Sequence, residues 1–227
     1  MYMDSSQANN ISIARFYNDL IKAYNPLPTQ AIDSDYRASI DGFPIRLRVN
    51  GIFAGVYTLN IDRYGHDCYG YSDTRQDIAY EIANNSDQFD TSGSVQDLRT
   101  RIAAGFKYRY HYADKGLVTE TTTTKDGQLN MASGLHEDLV KLVQWVGGAD
   151  NTEFRGGLKN HFAIDNMIDY HLLTLVFGMV DSYMKNMVIA SYGTSKDSDG
   201  DTTRIWYPLM YDGDTAMGNN IPYLLSN

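Results

Sequence analysis

The most extended hydrophobic pattern in the chain covers residues 164–180. Apolar side chains recur there at steps of three and four, which is the spacing of one face of an α-helix. They are Ile164, Met167, Ile168, Leu172, Leu175, Val176 and Met179. Leu173, Phe177 and Val180 lie off this face, so the pattern predicts a helix in the middle of the core. His171 falls on the predicted buried face, which favours a hydrogen-bonded core histidine over a group that transfers protons.

A short polar loop follows this helix and contains Asp181 and Asn186. A charge placed directly after a buried turn must be paired, bind a cation or face a cleft. The two residues are five positions apart, the separation of Asp and Asn in the H-R-D-x-x-x-x-N catalytic loop of protein kinases. Residues 187–192 and 204–211 are predicted to be strands joined by a polar turn, and Asp212 follows the second strand. Because this unit should return the chain to its starting edge, we expect Asp181, Asn186 and Asp212 to meet in one pocket.

Residues 44–61 carry the strongest local signal for a β-hairpin. Apolar and charged residues alternate through residues 45–49, and Asn50 and Gly51 form a dipeptide typical of a type I′ turn. Gly55 in the returning strand indicates a bulge or a close backbone approach.

The remaining elements complete a prediction of the fold class. Residues 106–112 alternate aromatic with basic side chains, so we expect a strand with its aromatics in the core and its cations outside. Stacking of nucleobases on these aromatics is the alternative. Amphipathic helices are predicted at residues 11–24 and 135–146. This order predicts an α+β fold with a β-hairpin-rich N-terminal part, a helical C-terminal part with a catalytic-loop-type hairpin, and a cleft between them.

Composition and charge narrow the function classes. The 227 residues are 43% hydrophobic and 21% charged, which is sufficient for one sizeable core. The net charge of −9 argues against a nucleic-acid partner, because the phosphate backbone attracts positive charge. No apolar run approaches the roughly 18 residues of a membrane-spanning helix, so no membrane partner is expected. Cys68 is the single cysteine, which excludes an intramolecular disulfide.

Two motifs are more specific than these patterns. Residues 49–59 read Val-Asn-Gly-Ile-Phe-Ala-Gly-Val-Tyr-Thr-Leu, and residues 206–218 contain Trp-Tyr-Pro and Tyr-Asp-Gly-Asp-Thr-Ala-Met-Gly. Together with Asp181 and Asn186, they resemble the "NGxYxGxYxL" hairpin and the C-terminal signature of the spore-coat H (CotH) kinase-like family. The resemblance implies an atypical protein-kinase-like fold. Some members of that family transfer phosphate from ATP to protein.

The resemblance also implies roles for individual residues. Asp181 would be the catalytic-loop acid. Asn186 and Asp212 would bind a divalent cation. If the chain is an enzyme, Asp214, two residues further on, is the candidate for a second carboxylate ligand. The implied cofactors are Mg²⁺ and ATP, with a protein hydroxyl as the acceptor. The chain departs from the family at Ile61, where a Glu is usual. The N-terminal segment that supplies basic residues for the nucleotide in the family is short or absent in this sequence.

The motifs and the family resemblance leave two functions open. The first is a divalent-metal-dependent phosphotransferase that acts on protein hydroxyls. The second is a catalytically inactive CotH-like structural or assembly module with a protein partner, as in phage virions or on the surface of bacterial cells or spores. In such a module a cation such as Lys185 should fill the gap between the carboxylates. A carbohydrate-binding surface of exposed tyrosines is a third interpretation.

The domain organisation is predicted from the same motifs. We expect residues 1–30 to form an N-terminal helix and connector, and residues 31–227 to form the CotH kinase-like domain. We also expect the sequence to be a fragment of a longer chain.

Overall fold

Helices and short strands follow one another along the described part of the chain. The computed structural model describes residues 9–61, 66–83, 89–182, 185–197 and 199–217. Within these ranges the α-helices are α1 (Asn9–Tyr24), α2 (Pro28–Ile32), α3 (His66–Tyr69), α4 (Val95–Gly105), α5 (Glu137–Gly148), α6 (Asn151–His161) and α7 (Ile164–Val176). The strands are β1 (Gly42–Val49), β2 (Ile52–Asn60), β3 (Ile78–Ile82), β4 (Phe106–His111), β5 (Met187–Ser191), β6 (Ser195–Lys196), β7 (Thr202–Thr203) and β8 (Tyr207–Met210). This mixture confirms the predicted α+β class.

The central sheet is antiparallel and has the strand order β4-β3-β5-β8. Helices α1 and α7 place Tyr17 and Leu173 in the core cluster on one face. Helices α4 and α5 place Ile102 and Leu139 in the cluster on the other face. Because both faces are covered, every residue of β3 is buried, including Glu81.

A β-bulge in β4 changes which of its side chains face the core. Ala79 pairs with Tyr110 but Tyr80 pairs with Tyr108, so Arg109 is the extra residue. The prediction that the cations of this strand point outside is therefore wrong for Arg109, whose side chain is only 2% exposed. It is correct for Lys107, whose side chain is 54% exposed.

The predicted hairpin at residues 44–61 is confirmed. β1 and β2 are antiparallel, Val49 pairs with Ile52, and Asn50 and Gly51 both have the positive φ of a type I′ turn. The register shifts next to Gly55, where Ala54 is the extra residue, which confirms the predicted bulge. The two strands form a sheet of their own, separate from the central sheet. Most of their apolar side chains are exposed, namely Phe43, Leu47, Val49, Ile52, Phe53, Val56, Tyr57 and Leu59.

Helix α7 buries a different face from the one predicted. Its buried residues are Asn166, Tyr170, Leu173 and Thr174. Much of the predicted face is exposed, namely Ile164, Ile168, Leu172, Leu175 and Val176. The buried polar groups are satisfied: the Tyr170 hydroxyl donates to the Ser182 carbonyl at 3.0 Å, and the Thr174 hydroxyl donates to the His171 carbonyl at 2.7 Å. His171 itself is exposed, so the prediction of a core histidine is wrong.

The sheet topology joins different parts of the sequence. β3 and β4 lie in the middle of the chain and pair with β5 and β8 from its C-terminal third, so the predicted division into an N-terminal sheet part and a helical C-terminal part is not shown. Helix α1 shares a core cluster with α7 and β8, and the boundary near residue 30 stays a prediction. Among the helices of the described residues, none has the length and hydrophobicity needed to cross a membrane.

Candidate functional site

The pairing of β5 with β8 brings the predicted site residues to one edge of the central sheet. Met187 begins β5 and pairs with Met210 at the end of β8, so Asn186 and Tyr211 lie side by side. The Asn186 N–H also donates to the carbonyl of Ile82 at the end of β3, at 2.9 Å. The predicted return of the strand-turn-strand unit to its starting edge is therefore observed.

Asp181 and Asn186 contact each other directly. Asp181 lies in a short 3₁₀-helix, Val180–Ser182, and its side chain is 35% exposed. The Asn186 side-chain amide donates to Asp181 Oδ2 at 2.8 Å, and Lys185 Nζ lies 2.7 Å from Asp181 Oδ1. Asn186 has φ +55°, a left-handed conformation that asparagine adopts more readily than most residues.

Asp212 and Asp214 adjoin this pair. The Ser182 hydroxyl donates to the Asp212 carbonyl, which joins the 3₁₀-helix to the segment after β8. The Asp214 N–H donates to Asp212 Oδ1 at 3.3 Å. Burial, followed by the negative charge of Asp212 and a hydrogen bond that the protonated Asp214 carboxyl donates to Asp212, raises the pKa of Asp214 to about 6, and the charge of Asp181 adds to this shift. The structure therefore brings all four predicted site residues into one electrostatic cluster.

The donor chemistry of this cluster fits a hard divalent cation. Two adjacent carboxylates repel each other, and a bound cation would relieve this repulsion. In the described residues no group of three or more His, Cys, Asp and Glu side chains is arranged to hold a metal ion. A cation held by Asp212, Asp214 and the amide oxygen of Asn186 would take its remaining ligands from water or phosphate, which is the usual mode of Mg²⁺.

A buried ion pair behind the cluster was not predicted. Arg109 pairs with Glu81, and both side chains are 2% exposed. The Tyr211 hydroxyl lies 2.9 Å from Glu81 Oε1 and 3.0 Å from Asn186 Oδ1. Lys107 Nζ lies 3.9 Å from the same Glu81 oxygen. The one feature of the sequence that could have indicated this ion pair is the glutamate inside the otherwise apolar Ile-Ala-Tyr-Glu-Ile of β3, because a buried charge needs a partner.

Comparison with known proteins identifies the family. A family model described as CotH kinase protein matches residues 38–226, which is most of the chain. The chain belongs to the CotH kinase family. No curated protein sequence matches it at a significant level. Membership of the CotH family agrees with the resemblance of the hairpin and Asp motifs, whereas the individual roles of Asp181, Asn186, Asp212 and Asp214 stay predictions.

Proposed function

We propose that this CotH-family chain is a divalent-cation-dependent phosphotransferase that moves the terminal phosphoryl group of ATP to a protein hydroxyl. The observation that carries the proposal is the convergence of Asp181, Asn186 and Asp212, with Asp214 beside them, at the paired ends of β5 and β8. The chemistry requires an acid that orients the hydroxyl and oxygen ligands for a cation, and the cluster contains both.

Each residue has a defined task in this proposal. Asp181 orients the acceptor hydroxyl and takes its proton while the hydroxyl oxygen bonds to the γ-phosphorus and the bond from that phosphorus to the β–γ bridging oxygen breaks, so ADP leaves. Asn186, Asp212 and Asp214 would hold Mg²⁺, which when bound neutralises negative charge on the phosphates. Lys185 pairs with Asp181 and would offer a positive charge to the transferred phosphoryl group.

Lys107 is the best-placed candidate for a further phosphate contact. It pairs with Glu81 across β4 and β3, at the same end of the sheet as Asn186, and its side chain is half exposed. The described residues contain no Gly-rich phosphate-binding loop of the G-x-G-x-x-G type, and the positive charge of Lys107 would contribute a phosphate contact in its place.

A structural role is the second candidate, and one observation favours it. The Lys185–Asp181 ion pair compensates one carboxylate without a metal ion, as expected of an inactive module. The exposed apolar side chains of the β1–β2 hairpin suit a contact with a protein partner in an assembly. An origin in a phage virion or on a bacterial surface belongs to this alternative.

Thermal unfolding with Mg²⁺, with ATP and with both separates the two candidates. A ligand that binds only the folded state stabilises it, by about 2.7 kcal/mol at a concentration 100 times its Kd. We expect a small increase in Tm with Mg²⁺ alone, a larger one with both, and loss of the nucleotide-dependent part in Asp212→Asn. The control is Asp199→Asn, a change of the same kind in the exposed turn between β6 and β7. If neither ligand changes the Tm of the unmodified chain, the phosphotransferase proposal is wrong and the structural role stands.

A further inference from the structure

A continuous chain of polar contacts runs from the interior of the sheet to the candidate site. It begins at the buried Arg109–Glu81 pair, passes through the Tyr211 hydroxyl to Asn186 Oδ1, and continues from the Asn186 amide nitrogen to Asp181. Tyr211 is the link between the buried part and the exposed part, and its own side chain is buried in the core.

The Tyr211 hydroxyl faces two acceptors with one proton. Glu81 Oε1 at 2.9 Å and Asn186 Oδ1 at 3.0 Å both accept hydrogen bonds and cannot donate them. The proton can lie on only one of these contacts at a time, and the ionised carboxylate is the stronger acceptor. The Tyr211 hydroxyl can therefore donate to the Asn186 oxygen, and it can turn to Glu81 when another partner binds that oxygen.

The rest of the Asn186 residue is fixed more firmly. Its N–H is bonded to the Ile82 carbonyl at the end of β3, and its amide nitrogen is bonded to Asp181. These two contacts and the Tyr211 hydroxyl together set the direction of the amide plane. Only the oxygen of that amide can bind a cation, so this direction decides whether Asn186 can act as a ligand.

We propose that Tyr211 is a positioning residue that orients the amide oxygen of Asn186 for a divalent cation and turns its hydrogen bond to Glu81 when that oxygen binds the cation. The inference rests on the proposed function, because it assumes that Asn186 is a cation ligand. Partners that orient a metal ligand commonly change metal affinity by about 10–100-fold when they are removed. A buried ion pair rarely stabilises a fold more than apolar residues in the same place would. This favours a role for Glu81 and Arg109 as the partners of Tyr211 behind the site rather than as a source of stability.

The test measures cation binding rather than activity. Mn²⁺ replaces Mg²⁺, a non-hydrolysable ATP analogue is added, and free Mn²⁺ is counted by electron paramagnetic resonance. We expect Tyr211→Phe to raise the Kd for Mn²⁺ by about 10–100-fold. The matched control is Tyr207→Phe, which removes the same atom from a half-buried tyrosine of β8 and should leave the Kd unchanged.

The outcomes distinguish this inference from the proposed function. If the unmodified chain does not bind Mn²⁺ with the nucleotide, both are wrong. If it binds and Tyr211→Phe binds equally well, only the role of Tyr211 is overturned. Should Tyr211→Phe fail to fold, 3-fluorotyrosine at position 211 keeps the packing and makes the hydroxyl a stronger donor. The Mn²⁺ affinity must then change, and an unchanged affinity overturns the inference.

Discussion

Lys185 Nζ lies 2.7 Å from Asp181 Oδ1, so the predicted catalytic-loop acid has a counter-ion from its own loop. The two side chains are 33% and 35% exposed. A pair exposed to this degree contributes about 0–1 kcal/mol to folding, because water screens the charges and fixing the side chains costs entropy. The significance of Lys185 therefore lies in the charge it brings to the site rather than in stability.

Replacing this lysine should separate stability from activity. We expect Lys185→Met to lower the free energy of unfolding by less than about 1 kcal/mol. It should slow phosphoryl transfer by about 100-fold, since a positive charge near the transferred group is lost. Urea unfolding and a phosphate-transfer assay measure the two effects. Lys141→Met is the control because Lys141 forms a similar exposed pair with Asp138 at 3.7 Å, outside the site. Equal transfer rates in both variants would show that Lys185 has no such role.

Asp214 should oppose folding at neutral pH when no cation is present. The pKa of Asp214 is raised to about 6 from 3.8. Between these pH values the folded state therefore binds more protons than the unfolded state. The unfavourable contribution of Asp214 to folding should thus decrease as the pH falls from 7 towards 4. Asp214→Asn should therefore raise the free energy of unfolding at pH 7.5 by about 1 kcal/mol, after allowance for partial exposure of the carboxyl.

Two further measurements complete this prediction. The gain from Asp214→Asn should vanish near pH 4, and Mg²⁺ with ATP at pH 7.5 should stabilise the unmodified chain more than the variant. A gain that is the same at both pH values would mean that the ionised carboxylate is not its cause.

His111 should make the fold sensitive to acid. Burial, together with the positive charges of His136 and Arg204, lowers the pKa of His111 to about 4 from 6.5. The unfolded state therefore binds more protons between these values, and stability present above pH 6.5 is lost as the pH falls towards 4. The loss from this one group should reach about 3 kcal/mol.

Urea unfolding between pH 7 and pH 4.5 measures this dependence. His111→Asn should reduce the slope of stability against pH, whatever it does to stability at pH 7. The control is His171→Asn, a change of the same kind at an exposed position of α7. A slope that persists in His111→Asn would assign the acid sensitivity to other groups.

Two adjacent leucines test which face of α7 is buried. Leu173 is 3% exposed and lies in a core cluster, whereas Leu172 is 51% exposed. We expect Leu173→Ala to lower the free energy of unfolding by about 2–5 kcal/mol, since it leaves a cavity. Leu172→Ala should change it by about 0.5 kcal/mol or less. Thermal or urea unfolding compares the two, and the reverse order would restore the face predicted from the apolar pattern.

The failed predictions for α7 and β4 have a common physical origin. In α7, Tyr170 and Thr174 are polar by composition but pack in the core, because nearby carbonyl groups accept their hydroxyl hydrogen bonds. In β4, the one extra residue at Arg109 breaks the alternation on which the predicted facing depended. Neither the hydrogen-bond partners nor the bulge can be identified from local sequence.

The sequence by itself determined the local features. The turn at Asn50 and Gly51 follows from the positive φ angles those residues tolerate. The hairpin motif of residues 49–59 and the Asp motif of residues 206–218, together with Asp181 and Asn186, were sufficient for the family resemblance. Only the tertiary structure decided that Glu81, Arg109 and Tyr211 stand behind the site, since strands far apart in sequence must pair before they meet. Hydrophobic periodicity measures how apolar a face is. Burial depends on which face finds a partner, and that is a property of the whole chain.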